Sequence, residues 1–414
     1  MSWVQKIEKL KSSANQEKRW QHEKNGSLIY KRPLFCAGLD AWGKRGENSR
    51  ASGTKYAEAG YSMKKYYELR KKICAAGKRQ GWWGAPGLVV ALSGGGDSVA
   101  MLWLLREFYG GRLVAAHLDH CTREGASHDD ARFAEDLCAA WGITCAVKRV
   151  EVYANRLPGE SFEMAGRRER YLHFSETANS EGLSFIAVGH NADDLVETQL
   201  INLFRGTGLA GLRGIPERRG DIVRPVIDFT RAELRAILQE QNLAWREDLS
   251  NSETIYVRNR IREELIPWVK ENMNPNFESG MLGLARQVED ELVYKNAVVQ
   301  KNIEAVVQDI PPALACWSAK KLASFSDLEL ADMLREQGKR LELPTLSRDR
   351  TEKLTALIRR RGAWRFQWAY DIEVCYSERG VGWLHRADVE NAEKNTEKSP
   401  KKQTLPWWAR GSSL

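Results

Sequence analysis

The sequence predicts an α/β protein: a parallel sheet with helices on both faces, followed by a smaller, mostly helical α+β C-terminal domain. Three observations predict it. Short apolar runs alternate with amphipathic segments from Leu88 to about Phe204, the rhythm of strand–helix–strand units. The first run, Leu88-Val89-Val90-Ala91-Leu92, has no polar alternation, so it suits a strand buried on both faces. Beyond about Asn272 the pattern changes to long helical segments and a hairpin.

Taken in order, residues 1–62 are a basic, Trp-containing leader interrupted by Gly and Ser, expected to be disordered. Met63 opens the basic segment MKKYYELRKKICAAGKRQ, a helix. Met63 is also a candidate start codon, which an intact mass of the native protein would test. Strands are expected at 88–92, 112–118, 143–150 and 184–189, and helices at 98–109, 127–141, 162–180 and 192–204. Residues 230–242 form a helix with Thr230 as N-cap and Glu233 completing a capping box. A basic, then apolar, helix over 256–271 is expected to be interrupted at Pro267. Residues 63–271 thus make the first domain and 272–386 the second. The second holds a helix over 279–307 stopped by Pro311-Pro312, a helix over 346–360 and a hairpin over 364–378. From about Ala387 to Leu414 a polar tail is expected.

Composition narrows the function. The chain of 414 residues is 43% hydrophobic, enough for a sizeable core. No apolar run approaches the ~18 residues of a membrane span, and the charged N-terminus lacks a signal core, so a cytoplasmic protein is expected. The seven cysteines form no C-x-x-C pair, which argues against a zinc ribbon or a cysteine-clamped iron–sulfur cluster. The net charge is +8, but residues 1–87 carry +12 and the remainder −4. Nucleic-acid contact in the body must therefore come from local patches.

The most informative segment is Ser93-Gly94-Gly95-Gly96-Asp97-Ser98, between the first strand and a helix. Glycines let backbone N–H groups approach a ligand, and the helix N-terminus favours an anion. Ser93 and Ser98 add hydroxyl donors. A carboxylate at Asp97 repels a phosphate unless a cation lies between them, so Asp97 points to Mg2+. No Gly-Lys-Ser/Thr closes the loop, and G-x-G-x-x-G is absent from it.

A second motif, Gly189-His190-Asn191-Ala192-Asp193-Asp194-Leu195-Val196-Glu197-Thr198, again follows a strand. His190, Asp194 and Glu197 fall at i, i+4 and i+7, which predicts one helix face able to hold Mg2+ or to orient and deprotonate an amine. Asp193 alone has a plainer reading as a dipole cap. Asp119 and His120 sit where another strand exits, whereas His117 is more simply a satisfied core histidine. Arg167, Arg168, Arg170 and Tyr171 make a basic helix segment, and Asn202 to Leu212, with Arg205, a Gly-rich loop. Finally, Trp245 to Asn251 and Tyr256 to Arg262 interleave aromatics with Arg246, Arg258, Arg260 and Arg262, a pattern suited to RNA. A solvated face remains the alternative for Arg262.

In this order the motifs resemble those of the tRNA(Ile)-lysidine synthetases of the N-type ATP pyrophosphatase (PP-loop) superfamily: SGG-x-DS, a DHG-L-R-like segment, AAR…RY, HHADD-x-x-ET, RG-x-G-x-x-GL, RP, W-x-ED-x-SN and Y-x-RNRIR. Here they stand at 93–98, 119–123, 165–171, 189–198, 205–212, 224–225, 245–251 and 256–262. Gly189 is taken to replace the first His of HHADD, and Cys121-Thr122 the Gly-Leu after Asp119-His120. The resemblance implies a Rossmann-like catalytic domain and a C-terminal tRNA-recognising domain. It implies ATP and Mg2+, lysine, and the CAU-anticodon isoleucine tRNA as substrate, with a homodimer possible. AMP passes to the wobble cytidine, and lysine then displaces it at carbon 2. By the same resemblance Ser93, Gly94, Gly95, Gly96, Asp97 and Ser98 would bind ATP, with Mg2+ near Asp97. Arg167 or Arg260 would neutralise the leaving pyrophosphate. Asp194 and Glu197 would take the amine with His190 nearby. Asp119, His120, Arg205, Trp245, Arg258 and Arg260 would meet the tRNA. The rival readings are a tRNA thiolase of the superfamily, disfavoured by the scattered cysteines, and a non-catalytic RNA-binding relative, disfavoured by the intact Asp97, His190, Asp194 and Glu197 set.

Overall fold

The computed structural model describes residues 63–121, 126–246, 257–360, 362–377 and 380–397. The leader, Thr122 and Arg123, Glu247 to Asn251 and Tyr256 lie outside the described residues. The chain divides into two compact units, one ending at Arg286 and the other beginning at Gln287. That division falls inside a continuous helix, Phe277–Val306, rather than at Asn272.

The first unit opens with helix α1 (Met63–Gln80). It stops at Gly81, whose φ of +81° suits a left-handed cap, and Trp82 N–H closes back on Gly77 O at 3.0 Å. Then come β1 (Gly87–Ala91), α2 (Gly96–Phe108), β2 (Arg112–Asp119), α3 (Ala126–Trp141), β3 (Thr144–Arg149), α4 (Phe162–Glu181), β4 (Ile186–Ala187) and α5 (Ala192–Phe204). Every strand and helix expected from 88 to 204 is present, although β4 is cut to two residues. A short α6 (Leu209–Leu212), β5 (Arg218–Arg219), β6 (Ile222–Val223) and α7 (Arg231–Glu240) follow. The sheet order is β3-β2-β1-β4-β6-β5, parallel except for the β5/β6 hairpin at one edge. That hairpin carries no sequence signal because two-residue strands are too short to show a period.

Burial explains the apolar runs. Leu88, Val90 and Leu92 pack with α2 and α7 on one face, whereas Val89, Val114 and Ile186 pack with Phe174 and Ala178 of α4 on the other. Both faces of the sheet are covered, so its central strands need no polar side. The chain runs outward from β1 through β2 to β3 and returns to the opposite side of β1 at β4. The strand ends flanking that reversal are where such folds hold ligands.

The capping box at Thr230 forms as expected, Glu233 N–H meeting Thr230 Oγ1 at 3.1 Å. Pro267 does not interrupt its helix. Val257–Arg260 (α8) continues through a π turn, Ile261–Leu265, into Ile266–Asn272 (α9). The wider turn lets Ile266 N–H reach Ile261 O, and Pro267 falls in the first turn of α9, where a missing N–H is tolerated.

The second unit holds the rest of α10 (Phe277–Val306) and an antiparallel sheet in the order β7-β8-β11-β10-β9: Val307–Gln308, Ala315–Ser318, Gly380–His385, Ile372–Ser377 and Trp364–Gln367. Helices α11 (Ala319–Leu322), α12 (Asp327–Arg340) and α13 (Arg348–Arg359) accompany it. The 364–378 hairpin is present as β9 and β10. Trp317, Trp383, Leu330, Met333 and Leu354 are buried in its core. The expected polar tail begins instead as α14 (Arg386–Glu397). Val389, only 1% exposed, packs with Cys316, Cys375 and Leu384 and joins the helix to the sheet. Among the described residues no helix is long and apolar enough to cross a membrane.

Candidate active site

The phosphate-type loop leaves the C-terminal end of β1. Gly94 has φ +86°, a value that favours glycine, and Gly95 caps α2 without any side-chain bond to its first amides. Those N–H groups are left for an anion. The two serines serve the loop itself. Ser98 Oγ donates to Gly95 O at 2.8 Å and accepts from Ser93 N–H at 3.2 Å, while Gly95 N–H donates to Ser93 Oγ at 3.3 Å. From the other side, Arg246 N–H donates to Gly94 O at 2.9 Å. A Cβ at Gly96 would touch Trp245 Cδ1 at 3.5 Å. Trp245, expected to face RNA, is thus packed against the loop and the core behind it.

The second motif abuts the first. A Cβ at Gly189 would meet Ser98 N at 3.4 Å. The five residues matching HHADD are His190 to Asp194, so Asn191, not Gly189, is the departure. Asn191 is the N-cap of α5: its Oδ1 accepts from Asp194 N–H at 3.0 Å, and Asp194 Oδ2 accepts from Asn191 N–H at 3.1 Å. Asparagine is a strong capping residue, which gives the replacement a structural reason. Asp193 lies in the first turn as its dipole-cap reading expects, and Asp194 closes the capping box. Asp193 Oδ2 instead accepts from Arg231 N–H at 2.9 Å. His190 precedes the helix and does not share a face with Asp194 and Glu197.

Glu197 is wholly buried and held by three guanidinium groups. Arg262 grips it in a fork, Nε to Oε1 at 2.7 Å and Nη2 to Oε2 at 3.1 Å. Arg258 Nε stands 3.4 Å away and Arg231 Nη2 3.6 Å. Arg231 also meets Asp194 at 3.2 Å and Asp97 at 3.8 Å. Burial pushes the Asp97 carboxyl up to about 6; Asp194 and Asp193 add to this and Arg231 opposes it. Arg262, for which a solvated face is the alternative, is instead half-buried and turned onto Glu197. Arg260 is 65% exposed and pairs with Glu264 at 3.7 Å. Arg258 and Arg262 share a face because they are four apart, a signal already present in the sequence. Arg231 was missed. Its signal was an arginine in the first turn of α7, where the helix dipole disfavours a cation.

A cationic side faces this acidic one. Burial, then Arg224, Arg167, Arg258 and Arg170, holds His190 down at about 3, so its ring is neutral at ordinary pH. Arg224 Nε donates to His190 Nδ1 at 3.3 Å, and the RP pair at 224–225 gave no hint of that contact. Arg167 stacks on Tyr171 at 4.9 Å and is exposed. His120 is likewise lowered, to about 4, by burial and Arg170, whose Nη2 donates to His120 Nε2 at 3.1 Å. Asp119 is buried at the strand end, paired with Arg149 at 2.9 Å and accepting from Cys121 N–H at 3.0 Å. It shapes the turn and is not open to substrate. His117 is satisfied by Leu92 O at 2.8 Å. Arg205 is exposed at the end of α5. Among the described residues no group of three or more His, Cys, Asp or Glu is placed to hold a metal ion. The arrangement can hold a polyphosphate on free amides and stabilise negative charge with guanidinium groups.

The PP-loop domain family matches residues 66–269. Among curated proteins, the chain is 40% identical over 221 residues to the tRNA(Ile)-lysidine synthase of Clostridium perfringens (strain ATCC 13124), covering 52% of this chain and 47% of that one. It is 41% identical over 206 residues to the tRNA(Ile)-lysidine synthase of Porphyromonas gingivalis (strain ATCC BAA-308 / W83), covering 49% and 44%. The chain spans about half the length of these curated relatives. Among solved structures, the U34-tRNA thiolase NcsA from Methanococcus maripaludis aligns with a TM-score of 0.45 at 21% identity, covering 54% of this chain and 78% of that one.

Proposed function

We propose that the chain, whose residues 66–269 match the PP-loop domain family, is a tRNA(Ile)-lysidine synthetase. It joins lysine to carbon 2 of the wobble cytidine of a CAU-anticodon isoleucine tRNA at the expense of ATP. In the first step the carbonyl oxygen on carbon 2 attacks the α-phosphorus and pyrophosphate leaves. In the second the neutral amine of lysine attacks carbon 2, AMP departs with the bonding pair, and the amine proton is lost.

The observation that carries this reading is convergence. The free amides of α2, the Asp97–Asp194–Glu197 carboxylates and the His190–Arg224 pair meet beyond neighbouring strand ends, within the residues that match the PP-loop domain family. The amides and Gly94 would cradle the triphosphate. A desolvated carboxylate beside phosphates fits a site for Mg2+, which Asp97 would hold and which would neutralise phosphate charge. Arg167, which is exposed, would meet pyrophosphate. Asp194 and Glu197 would receive the lysine ammonium, displacing the longest contacts of Glu197, Arg258 at 3.4 Å and Arg231 at 3.6 Å, and that of Asp194, Arg262 at 3.9 Å. His190, neutral and accepting at Nδ1, can donate from Nε2 but is a poor base.

The test is incorporation of labelled lysine into the CAU-anticodon isoleucine tRNA with ATP and Mg2+, with the CAU-anticodon methionine tRNA as control. Label in the isoleucine tRNA alone is the expected result. Pyrophosphate release without lysine transfer would keep the adenylation step and replace the nucleophile, with sulfur the next to try.

A further inference from the structure

Gln80, the last residue of α1, belongs to none of the motifs above, yet it is 2% exposed. Its amide is fully engaged with a residue 144 positions away. Gln80 Nε2 donates to Arg224 O at 2.9 Å, and Gln80 Oε1 accepts from Arg224 N–H at 2.7 Å. Oε1 also accepts from Trp82 Nε1–H at 3.2 Å. One side chain thus satisfies both backbone polar groups of Arg224, as a neighbouring strand would. Arg224 is itself 4% exposed. Its Nη1 donates to Pro216 O at 2.6 Å and its Nε to His190 Nδ1 at 3.3 Å.

A guanidinium has no acceptor. Nδ1 of His190 must therefore present its lone pair to Arg224, and the single proton of the neutral ring sits on Nε2. We propose that Gln80 is a positioning residue: by clamping the backbone of Arg224 it aims that guanidinium at His190 Nδ1 and keeps the imidazole proton on Nε2. The tautomer follows from contacts within the chain alone. Only its effect on turnover rests on the function proposed above.

Replacing Gln80 by leucine keeps the volume, strands the Arg224 N–H and leaves its carbonyl with Ile227 N–H at 3.2 Å alone. The experiment is the long-range 1H–15N spectrum of the uniformly labelled full chain, with the His190 signal identified by its loss in His190→Gln. The wild type is expected to show His190 protonated on Nε2. In Gln80→Leu a share of the Nδ1-protonated form should appear. Lysine incorporation should fall about tenfold with the KM for ATP held within about twofold, as for the loss of an orienting hydrogen bond. Should Gln80→Leu fail to fold, Arg224→Met read by the same spectrum decides, since it too must release the tautomer. A wild-type ring protonated on Nδ1 would overturn the proposal. So would a variant spectrum still wholly Nε2-protonated, even with turnover lost, because the effect would then be only structural. A wild type with the expected tautomer but no lysine transfer would sink the functional reading and leave the clamp standing.

Discussion

Asp97→Asn should make the ligand-free protein more stable while ending its activity. Moving the Asp97 carboxyl from 3.8 to about 6 corresponds to roughly 3 kcal/mol against folding once the group is ionised. Its side chain is 31% exposed, so water recovers part of this, and about 1–2 kcal/mol is expected. The sign follows from linkage. Because the folded-state value is the higher one, the native protein binds more protons than the unfolded chain between about pH 4 and 6. Stability from this group is thus present below pH 4 and lost as the pH rises through 6. Asparagine does not titrate, so the advantage of Asp97→Asn should be near zero at pH 4 and reach its plateau by about pH 7. Urea unfolding of both proteins from pH 4 to 8, followed by circular dichroism, measures it. An Asp97→Asn protein less stable than wild type at pH 7.5, or a difference independent of pH, would refute the argument. Activity of the variant should be lost at every pH.

Three other outcomes follow from the same geometry. Arg262→Met opens the fork on buried Glu197 and should cost about 2–3 kcal/mol, less than a full buried pair because Arg258 and Arg231 remain. Arg260→Ala should be neutral, and the Arg262→Met/Glu197→Gln double variant should fall short of additivity by at least about 1 kcal/mol in unfolding experiments. Gly94→Ala forces a Cβ onto a φ of +86° and should cost about 1–2 kcal/mol. It should also weaken nucleotide binding in a calorimetric titration, and unchanged affinity would take the phosphate site away from this loop. Val389→Ala empties part of the pocket beside Cys316 and Leu384 and should cost about 1–3 kcal/mol. A thermal scan that shows no loss in the second unit would return Arg386–Glu397 to the status of a tail.

The sheet was legible because burial on two faces leaves a plain mark. Leu88 to Leu92 face alternate cores, so no polar residue interrupts them. The phosphate loop was legible because its chemistry is local. What the sequence hid lies across long separations or in register. Arg231 meets Asp97 only because α7 and α2 pack together, and no spacing along the chain encodes that. The RNRIR letters alone do not show which arginines turn inward; helical phase pairs Arg258 with Arg262, and both reach Glu197. Pro267 looked like a breaker, but the π turn that admits it leaves no mark in composition. The helix within the expected tail was hidden because one apolar residue, Val389, fixes it to the sheet.

The bond between Gln80 and Arg224 also sets a schedule. Helix α1 leaves the ribosome before the rest of the described first unit, and its partner is made 144 residues later. At 5–20 residues per second, that is a wait of roughly 7–30 s. During it Gln80 and the indole of Trp82 lack the wall they close against. The end of the opening helix is thus closed only once Arg224 has emerged, and α7, which covers one face of the same sheet, comes later still.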